Sequence, residues 1–570
     1  MLEGKVPDGN PNGDSTGHPN GKTPDCPGNR PTPYVDTRSL RVRSLSVPPS
    51  SGVDQERPAP DLRHLFKNVP PTGCAIERQP NTQPVTLGQL KTEVRAVYAA
   101  AVKVETLCSE QIAAHRQTSE TPTEEQWRSL VALHKAAVHE FADFFFATQH
   151  PAALRSWTIR ESCLKYRMPQ RLWQRVQALL DLMRRHLPAS REHMASFISL
   201  SFAIFTVLYE HATTDLQAIW SECLGDVARF GMAIQSSFEE RGIWVGTSRM
   251  WYLRAIDLNP GVGRLSHHLA ILARPEPMGQ LFHFAKSLCA VTPFGPARES
   301  ISTLFNPVFA QETRPCQGLD VAAVKLHGMV MMDYGDDEFK AGLVEYIFRL
   351  GDIIAAGPVS WESFGYHLAV VNVSSLLSYG CETNPVAKAL GVIHEKGKVK
   401  PFAFEASEAS AEKALERALI INLATIKAML RHEDVSPLLS YLHVWLAFLY
   451  SVSKLPPHEV PARVLDIWPW ETLSLALSTV RARHPSSPRD AEPLSRESGP
   501  PLPEDYAMRG LVWAGGYLPG EWFDGDERDQ DERVVERMRG SWMREERAER
   551  CSWLEERVVE VVMERSAQRS

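Results

Sequence analysis

Apolar residues recur at steps of three and four positions through most of this 570-residue chain, and this spacing restricts its fold more than any other feature. A typical stretch is Ile219 to Ile234, "IWSECLGDVARFGMAI", in which an apolar or small residue returns about once per helical turn. Comparable stretches run from about Val85 to residue 460, and no strands alternate convincingly with them. The pattern predicts an all-α protein.

Helix start and stop signals divide this pattern into elements. Thr123 followed by Gln126 predicts a capping box, and Pro260 predicts the end of a helix. The spacing predicts further helices over residues 169–187, 191–211, 214–238, 248–257, 264–273, 277–291 and 294–305.

Composition shifts predict the domain organisation. The first 60 residues contain eleven Pro and seven Gly, so we expect residues 1–84 to be a disordered tail. We expect a helical domain over 85–310, a helical-hairpin domain over 318–480 and a Pro/Ser-rich linker over 481–500. Residues 501–570 hold a last motif and a charged helix, predicted from about Arg533 to Arg565.

Charge and cysteine usage exclude several classes of protein. The net charge of -7 and the pI near 6.3 exclude a uniformly basic nucleic-acid-binding protein. The nine cysteines form no Cys-x-x-Cys pair, so the chain predicts neither a disulfide framework nor a zinc site.

No segment predicts secretion or membrane insertion. The first residues lack an apolar core, and the longest stretch without Asp, Glu, Lys, Arg or His, Met194 to Tyr209, has 16 residues and several hydroxyl side chains. We expect a soluble protein of the nucleus, the cytoplasm or both, with no membrane partner.

A repeat signal appears in the middle of the chain. The stretch "RMWYLRAIDLNPGVGRLSHHLAILA" resembles the second helix of one tetratricopeptide unit running into the first helix of the next. Only two or three units are visible, which indicates a compact helical-repeat domain. Gly225 lies in the helix before them, and its small size predicts that a neighbouring helix packs closely there.

Five segments together resemble the Ever Shorter Telomeres and Smg family of nonsense-mediated mRNA decay and telomerase factors, most closely its filamentous-fungal members. In chain order they are "ECLGDVARF", "WYLRAIDLNPGVGRLSHHLAILA", "LFHFAKSLCAVTPFGPARESISTLF", "KLHGMV" and "LPEDYAMRG". The resemblance covers roughly residues 85–565.

The resemblance implies a 14-3-3-like domain fused to tetratricopeptide helices and followed by a helical-hairpin domain. It implies binding to a phosphorylated protein, of the decay-helicase type, through a phosphate-binding pocket. The family's phosphate-binding arginine falls on Arg229 of the Gly-Asp-x-Ala-Arg motif, and its lysine partner falls, by a looser match, on Lys135. Telomeric relatives imply an alternative, namely direct binding of telomerase RNA or single-stranded DNA.

The chemistry of Arg229 agrees with a phosphate site. A guanidinium group binds phosphate oxygens through two parallel hydrogen bonds, and Asp226, one turn earlier, would hold it in place. Without the motif, an ordinary surface ion pair between Asp226 and Arg229 is the simpler interpretation.

A second basic region spans residues 151–190. It contains eight Lys or Arg residues against Glu161 and Asp181, with three aromatic residues interleaved. Such a stretch is typical of nucleic-acid backbone contacts with base stacking, and equally of a solvated helix face over buried tryptophans. The candidate nucleic-acid-binding residues are Arg167, Arg171 and Arg175.

No catalytic motif occurs in the sequence, and neither a cofactor nor a metal site is predicted. Some family members end in a nuclease domain, whereas here a charged helix leads to Ser570, so we expect no nuclease activity. In the predicted tail, "RSLSVP" places Ser46 three residues after an arginine and two before a proline, the pattern that 14-3-3 proteins prefer around phosphoserine. Ser46 is therefore a candidate phosphorylation site.

Overall fold

The computed structural model describes residues 85–118, 120–310, 318–355, 361–391, 408–456, 459–483, 494, 500–523 and 542–569. Their α-helices are, in chain order, α1 (Leu87–Gln117), α2 (Glu124–Gln149), α3 (Trp157–Lys165), α4 (Met168–Arg185), α5 (Arg191–Glu210), α6 (Thr214–Ile234), α7 (Phe238–Leu258), α8 (Gly263–Leu272), α9 (Pro277–Leu288), α10 (Ala297–Ser300), α11 (Ser302–Ala310), α12 (Leu319–Met331), α13 (Asp336–Ala355), α14 (Trp361–Leu376), α15 (Pro385–Ala389), α16 (Glu408–Met429), α17 (Leu439–Ser453), α18 (Glu459–Leu465), α19 (Trp470–Arg483), α20 (Pro503–Met508) and α21 (Trp542–Arg569).

The prediction of an all-α protein is confirmed. The described residues contain no strand, only two isolated bridges that pair Val262 with Thr292 and Ala290 with Leu511. The capping box before α2 is also confirmed, since the Thr123 hydroxyl accepts a hydrogen bond from the Gln126 amide while the Gln126 side chain accepts one from the Thr123 amide.

Two predicted boundaries were wrong. α7 begins at Phe238 rather than residue 248, because Phe238, Gly242 and Ile243 are exposed and give its first half no apolar stripe. The Ser237 hydroxyl accepts a hydrogen bond from the Glu240 amide and starts the helix instead. Residues 294–305, predicted as one helix, contain α10 and the beginning of α11.

Two large hydrophobic cores hold the helices together. The first contains buried residues from Ala101 to Ile234, contributed by α1 to α6. The second contains buried residues from Ala270 to Val558, in which α14 contacts α9, α16 and α17. A smaller cluster between Tyr252 and Leu272 joins α7 to α8. The domain boundaries predicted at residues 310 and 318 stay a prediction. The disordered tail predicted for residues 1–84 lies outside the described residues and stays a prediction as well.

The segment around α20 belongs to the second core. Gly510 has a φ of +82°, and a Cβ there would lie 1.8 Å from the carbonyl oxygen of Pro260. The Val291 amide donates to the Gly510 carbonyl at 3.0 Å, and the Val512 amide donates to the Cys289 carbonyl at 3.0 Å. The motif "LPEDYAMRG" therefore closes against the turns that flank α8 and α9.

Buried ion pairs fix α21 to the same segment. Arg547 binds Glu504 through two hydrogen bonds of 2.6 and 2.9 Å, and Arg550 binds Asp505 at 2.8 Å. Burial opposes ionisation of Glu504, but the charge of Arg547 and the hydrogen bond with His443 outweigh it and hold the Glu504 pKa well below its usual range. The charged helix predicted from the sequence thus buries some of its charges.

One described helix, α5, is long and apolar enough to cross a membrane by length and composition. It packs against α2 and α6, and its Met194, Phe197 and Phe205 side chains are buried in the first core. About a third of its most apolar window, 33%, is buried, so one face of α5 packs into the core.

Candidate anion-binding site on helices α6 and α8

Close packing between α6 and α7 starts at Gly225. A Cβ at Gly225 would lie 2.6 Å from a ring carbon of Tyr252, so only glycine lets this ring lie against α6. The Tyr252 hydroxyl then reaches Asp226 and donates a hydrogen bond to Oδ1 at 2.6 Å. The close helix approach predicted for Gly225 is therefore confirmed, and it places a buried hydroxyl behind the predicted phosphate motif.

Asp226 holds Arg229 at the surface. The Arg229 Nη2 atom lies 3.1 Å from Asp226 Oδ1, and the side chains are 29% and 8% exposed, respectively. This pair is not the surface pair of the simpler sequence interpretation, because the carboxylate is buried and also accepts the Tyr252 hydrogen bond. The arginine faces outward while its counter-charge lies behind it.

His268 of α8 makes the second contact with Arg229. The Arg229 Nη1 atom lies 3.2 Å from His268 Nδ1, and because a guanidinium has no acceptor, Nδ1 must accept the hydrogen bond. The imidazole ring is stacked on Tyr252 with centroids 4.8 Å apart and planes at 11°. Stacking and hydrogen bonding together fix the orientation of the guanidinium.

A second arginine lies beside this group. Arg264 of α8 binds Glu222 of α6 through a fork of two contacts, Nε to Oε1 at 2.6 Å and Nη2 to Oε2 at 2.7 Å. Burial opposes ionisation of Glu222, but the hydrogen bond with His268 and the charge of Arg264 outweigh it and lower the Glu222 pKa. The Glu222 side chain is 17% exposed and the Arg264 side chain 51%.

The arrangement presents cations outward and anions inward. Glu222, Asp226 and His268 each offer one potential metal-binding atom, and these atoms lie within 4.8 Å of one another. Arg229 and Arg264 already pair with both carboxylates, and their charges oppose a divalent cation between them. The outer face carries N–H donors and therefore suits an anion.

Lys135, the predicted partner of Arg229, lies half-buried on α2. In the described part of the chain it makes no hydrogen bond or ion pair, and no such contact connects it to Arg229. α2 packs against α1, α4 and α5, whereas Arg229 points to α8. Convergence of Lys135 with Arg229 stays a prediction.

The three predicted nucleic-acid-binding arginines have different surroundings. Arg167 is exposed before α4, with a φ of +53°. Arg171 donates to Glu105 from Nε at 3.0 Å and also from Nη2, and Arg175 donates to the Ser109 hydroxyl. Two of the three therefore bind side chains of α1, and the nucleic-acid role of all three stays a prediction.

Aromatic residues of the basic region are divided between surface and core. Trp157 and Tyr166 are 71% and 43% exposed, whereas Trp173 packs against Phe205 and Phe230 of the first core. The interpretation that the tryptophans of this region are buried is wrong for Trp157, whereas Trp173 is partly buried against the first core. Ser46 lies outside the described residues.

Three members of the site, His268, Glu222 and Arg264, were not predicted from the sequence. His268 and Arg264 meet Arg229 and Glu222 only because α8 packs beside α6 and α7, a tertiary contact without a local sequence signal. His267 instead bonds with the Ser300 hydroxyl at 3.0 Å.

The chain is similar in structure to solved proteins. A solved structure of the C. elegans SMG5-SMG7 complex matches 79% of this chain and 98% of that chain, with 10% sequence identity and a TM-score of 0.42. No protein-family model matches the sequence, and no curated protein sequence matches it. Membership of the Ever Shorter Telomeres and Smg family therefore stays a prediction from the five motifs.

Proposed function

We propose that this protein is a non-catalytic adaptor that binds a phosphorylated protein partner through Arg229. The observation that carries the proposal is the setting of this residue, whose side chain is 29% exposed while Asp226 and Tyr252, which support it, are buried. An arginine fixed in this way loses little further side-chain entropy when it binds phosphate.

The Gly-Asp-x-Ala-Arg motif supports the same function. Gly225 and Asp226 are the two residues that admit and bind Tyr252, so the motif encodes the support of Arg229 as well as Arg229 itself. By resemblance, the partner would be a decay factor of the helicase type, met in the nucleus or the cytoplasm.

The experiment measures binding of a fluorescent degenerate phosphoserine peptide pool to the full chain, with the unphosphorylated pool as reference. We expect Arg229→Gln to weaken phosphopeptide binding at least about tenfold, since a charge-assisted hydrogen bond contributes about 1.5–3 kcal/mol. Arg128→Gln is the matched control, because Arg128 also pairs with a carboxylate, Glu124, at 3.1 Å on an exposed helix face.

Equal binding of the phosphorylated and unphosphorylated pools would contradict the proposal. Equal losses in Arg229→Gln and Arg128→Gln would contradict it as well, because they would indicate a general charge effect. Circular dichroism of each variant shows whether the helices remain folded.

A second candidate function is direct binding of telomerase RNA or single-stranded DNA. The exposed Trp157 and Tyr166 beside Arg167 favour it, since such rings stack on bases. Binding along a nucleic-acid backbone neutralises many phosphates, so the affinity would fall steeply with salt concentration. Binding through one or two cations would make the affinity depend only weakly on salt concentration. Loss of single-stranded RNA binding in Trp157→Ala, with phosphopeptide binding unaffected in Arg229→Gln, would establish this function instead.

A further inference from the structure

We propose that Arg264 is the second phosphate-binding residue of the site at Arg229, and that the two guanidinium groups together receive a phosphate monoester dianion. This inference rests on the proposed function and goes further by replacing Lys135 with a residue of α8.

The first step is the position of the two carboxylates. Glu222 and Asp226 lie one turn apart on α6, and an oxygen of one lies within 4.8 Å of an oxygen of the other. Glu222 binds Arg264 and Asp226 binds Arg229, so neighbouring carboxylates bring the two arginines to the same part of α6.

The second step is the order of burial. The carboxylate side chains are 17% and 8% exposed, and the arginines that they hold are 51% and 29% exposed. Although the four charges sum to zero, the groups nearest to solvent are N–H donors. An approaching anion therefore meets the cations first and remains separated from the carboxylates by the width of a guanidinium group.

The third step is the number of free donors. A guanidinium has five N–H groups, and among the described residues the Arg264 group binds only Glu222, through Nε and Nη2, which leaves Nη1 for a ligand. The Arg229 side chain has one polar contact on each terminal nitrogen among the described residues, which also leaves N–H groups unused.

The fourth step is the role of His268 between the arginines. Its Nδ1 accepts from Arg229, and its Nε2 lies 3.6 Å from Glu222 Oε1, so the ring lies between the two ion pairs. Two fixed guanidinium groups match a tetrahedral dianion with three terminal oxygens better than a carboxylate, which has two oxygens and one charge.

The test uses the full chain and the same fluorescent phosphoserine peptide pool. We expect Arg264→Gln to weaken binding about tenfold or more, and Arg264→Lys to weaken it several-fold, because lysine keeps the charge and loses the fork. Arg254→Gln is the matched control, since Arg254 is an exposed arginine of α7 that donates to the Tyr209 hydroxyl at 3.0 Å.

The outcomes separate this inference from the proposed function. Binding by Arg264→Gln within twofold of the unchanged chain overturns the inference; a loss in Lys135→Gln alongside it assigns the second cation to α2 and leaves the proposed function intact. Unchanged binding in Arg229→Gln would instead overturn the function itself. If Arg264→Gln unfolds, Arg264→Lys decides: a several-fold loss supports the inference and unchanged binding overturns it.

Discussion

The absence of a side chain at Gly225 lets Tyr252 pack close enough to α6 to bind Asp226. The Tyr252 ring occupies the space of a Cβ at this position, and its hydroxyl reaches Asp226 because the ring lies so close to α6. Gly225 therefore affects Arg229 indirectly. It admits the Tyr252 ring, whose hydroxyl binds Asp226, and Asp226 in turn binds Arg229.

Substitution of Gly225 tests this packing. Alanine favours helix by about 1 kcal/mol over glycine, but overpacking against the fully buried Tyr252 costs about 1–3 kcal/mol. We expect Gly225→Ala to lower the free energy of unfolding, measured by urea denaturation. In the control Gly242→Ala, the new methyl group meets no atom within 4 Å, so we expect a small gain in stability. Equal effects of the two variants would show that Tyr252 moves without cost.

At the residue scale, sequence reasoning predicted what lies within one helix. The small size of Gly225 predicted the close approach of a neighbouring helix. The motif in α6 predicted Arg229 as a phosphate-binding residue held by Asp226. They did not predict His268 or Arg264, because a histidine or an arginine on α8 acquires its role only from the packing of α8 against α6. Lys135 was matched through a loose motif, and no contact among the described residues joins it to the site.

At the scale of elements, apolar periodicity predicted most helices and failed where the apolar stripe was absent. α7 is the clear case, since it begins with exposed Phe238 and a capping serine rather than with a buried face. α21 shows a different limit. The sequence predicted a charged helix but not which charges are buried, and charged residues are seldom fully buried unless they are paired. The pairing that buries Arg547 and Arg550 comes from Glu504 and Asp505, more than 40 positions earlier in the chain.

The Glu504 and Arg547 pair gives a prediction for α21. Glu504→Gln removes the buried carboxylate charge that Arg547 binds through two hydrogen bonds, so we expect the free energy of unfolding to fall by about 3–5 kcal/mol. Glu556→Gln is the matched control, because Glu556 of α21 pairs with Arg481 at 3.4 Å while both side chains are about half exposed. For this control we expect the free energy of unfolding to fall by less than about 1 kcal/mol. Comparable losses in the two variants, measured by denaturant titration, would refute the assigned importance of burial.

At the scale of the whole molecule, both cores contain neutral histidines. Burial lowers the pKa of His134 to about 4, of His327 to about 4 and of His367 to about 3. His327 shows why the neutral form fits, since its Nε2 lies 2.9 Å from the Asn372 oxygen and its Nδ1 lies 2.6 Å from the Tyr379 hydroxyl. Both ring nitrogens are thus satisfied by one neutral tautomer.

These pKa values predict acid sensitivity. Below about pH 6.5 the unfolded chain binds protons on these histidines while the folded chain does not, so acidification favours unfolding down to about pH 4. Each such proton contributes up to about 1.4 kcal/mol per pH unit. We expect the urea midpoint to fall steadily from pH 7 to pH 5 and the fall to be shallower in His327→Gln. A constant midpoint over this range would contradict the burial of neutral imidazoles.

The contact of Gly510 with Pro260 has a consequence for synthesis of the chain. The ribosome adds about 5–20 residues per second, so roughly 10–40 s separate the emergence of residues 289–291 from that of their backbone partners 510–512. During that interval the segment that covers α8 and α9 has not yet been synthesised. Part of their apolar surface is therefore accessible to chaperones and proteases. A chain truncated before residue 500 would lack the segment that covers α8 and α9. Its apolar surface would therefore stay exposed to chaperones and proteases.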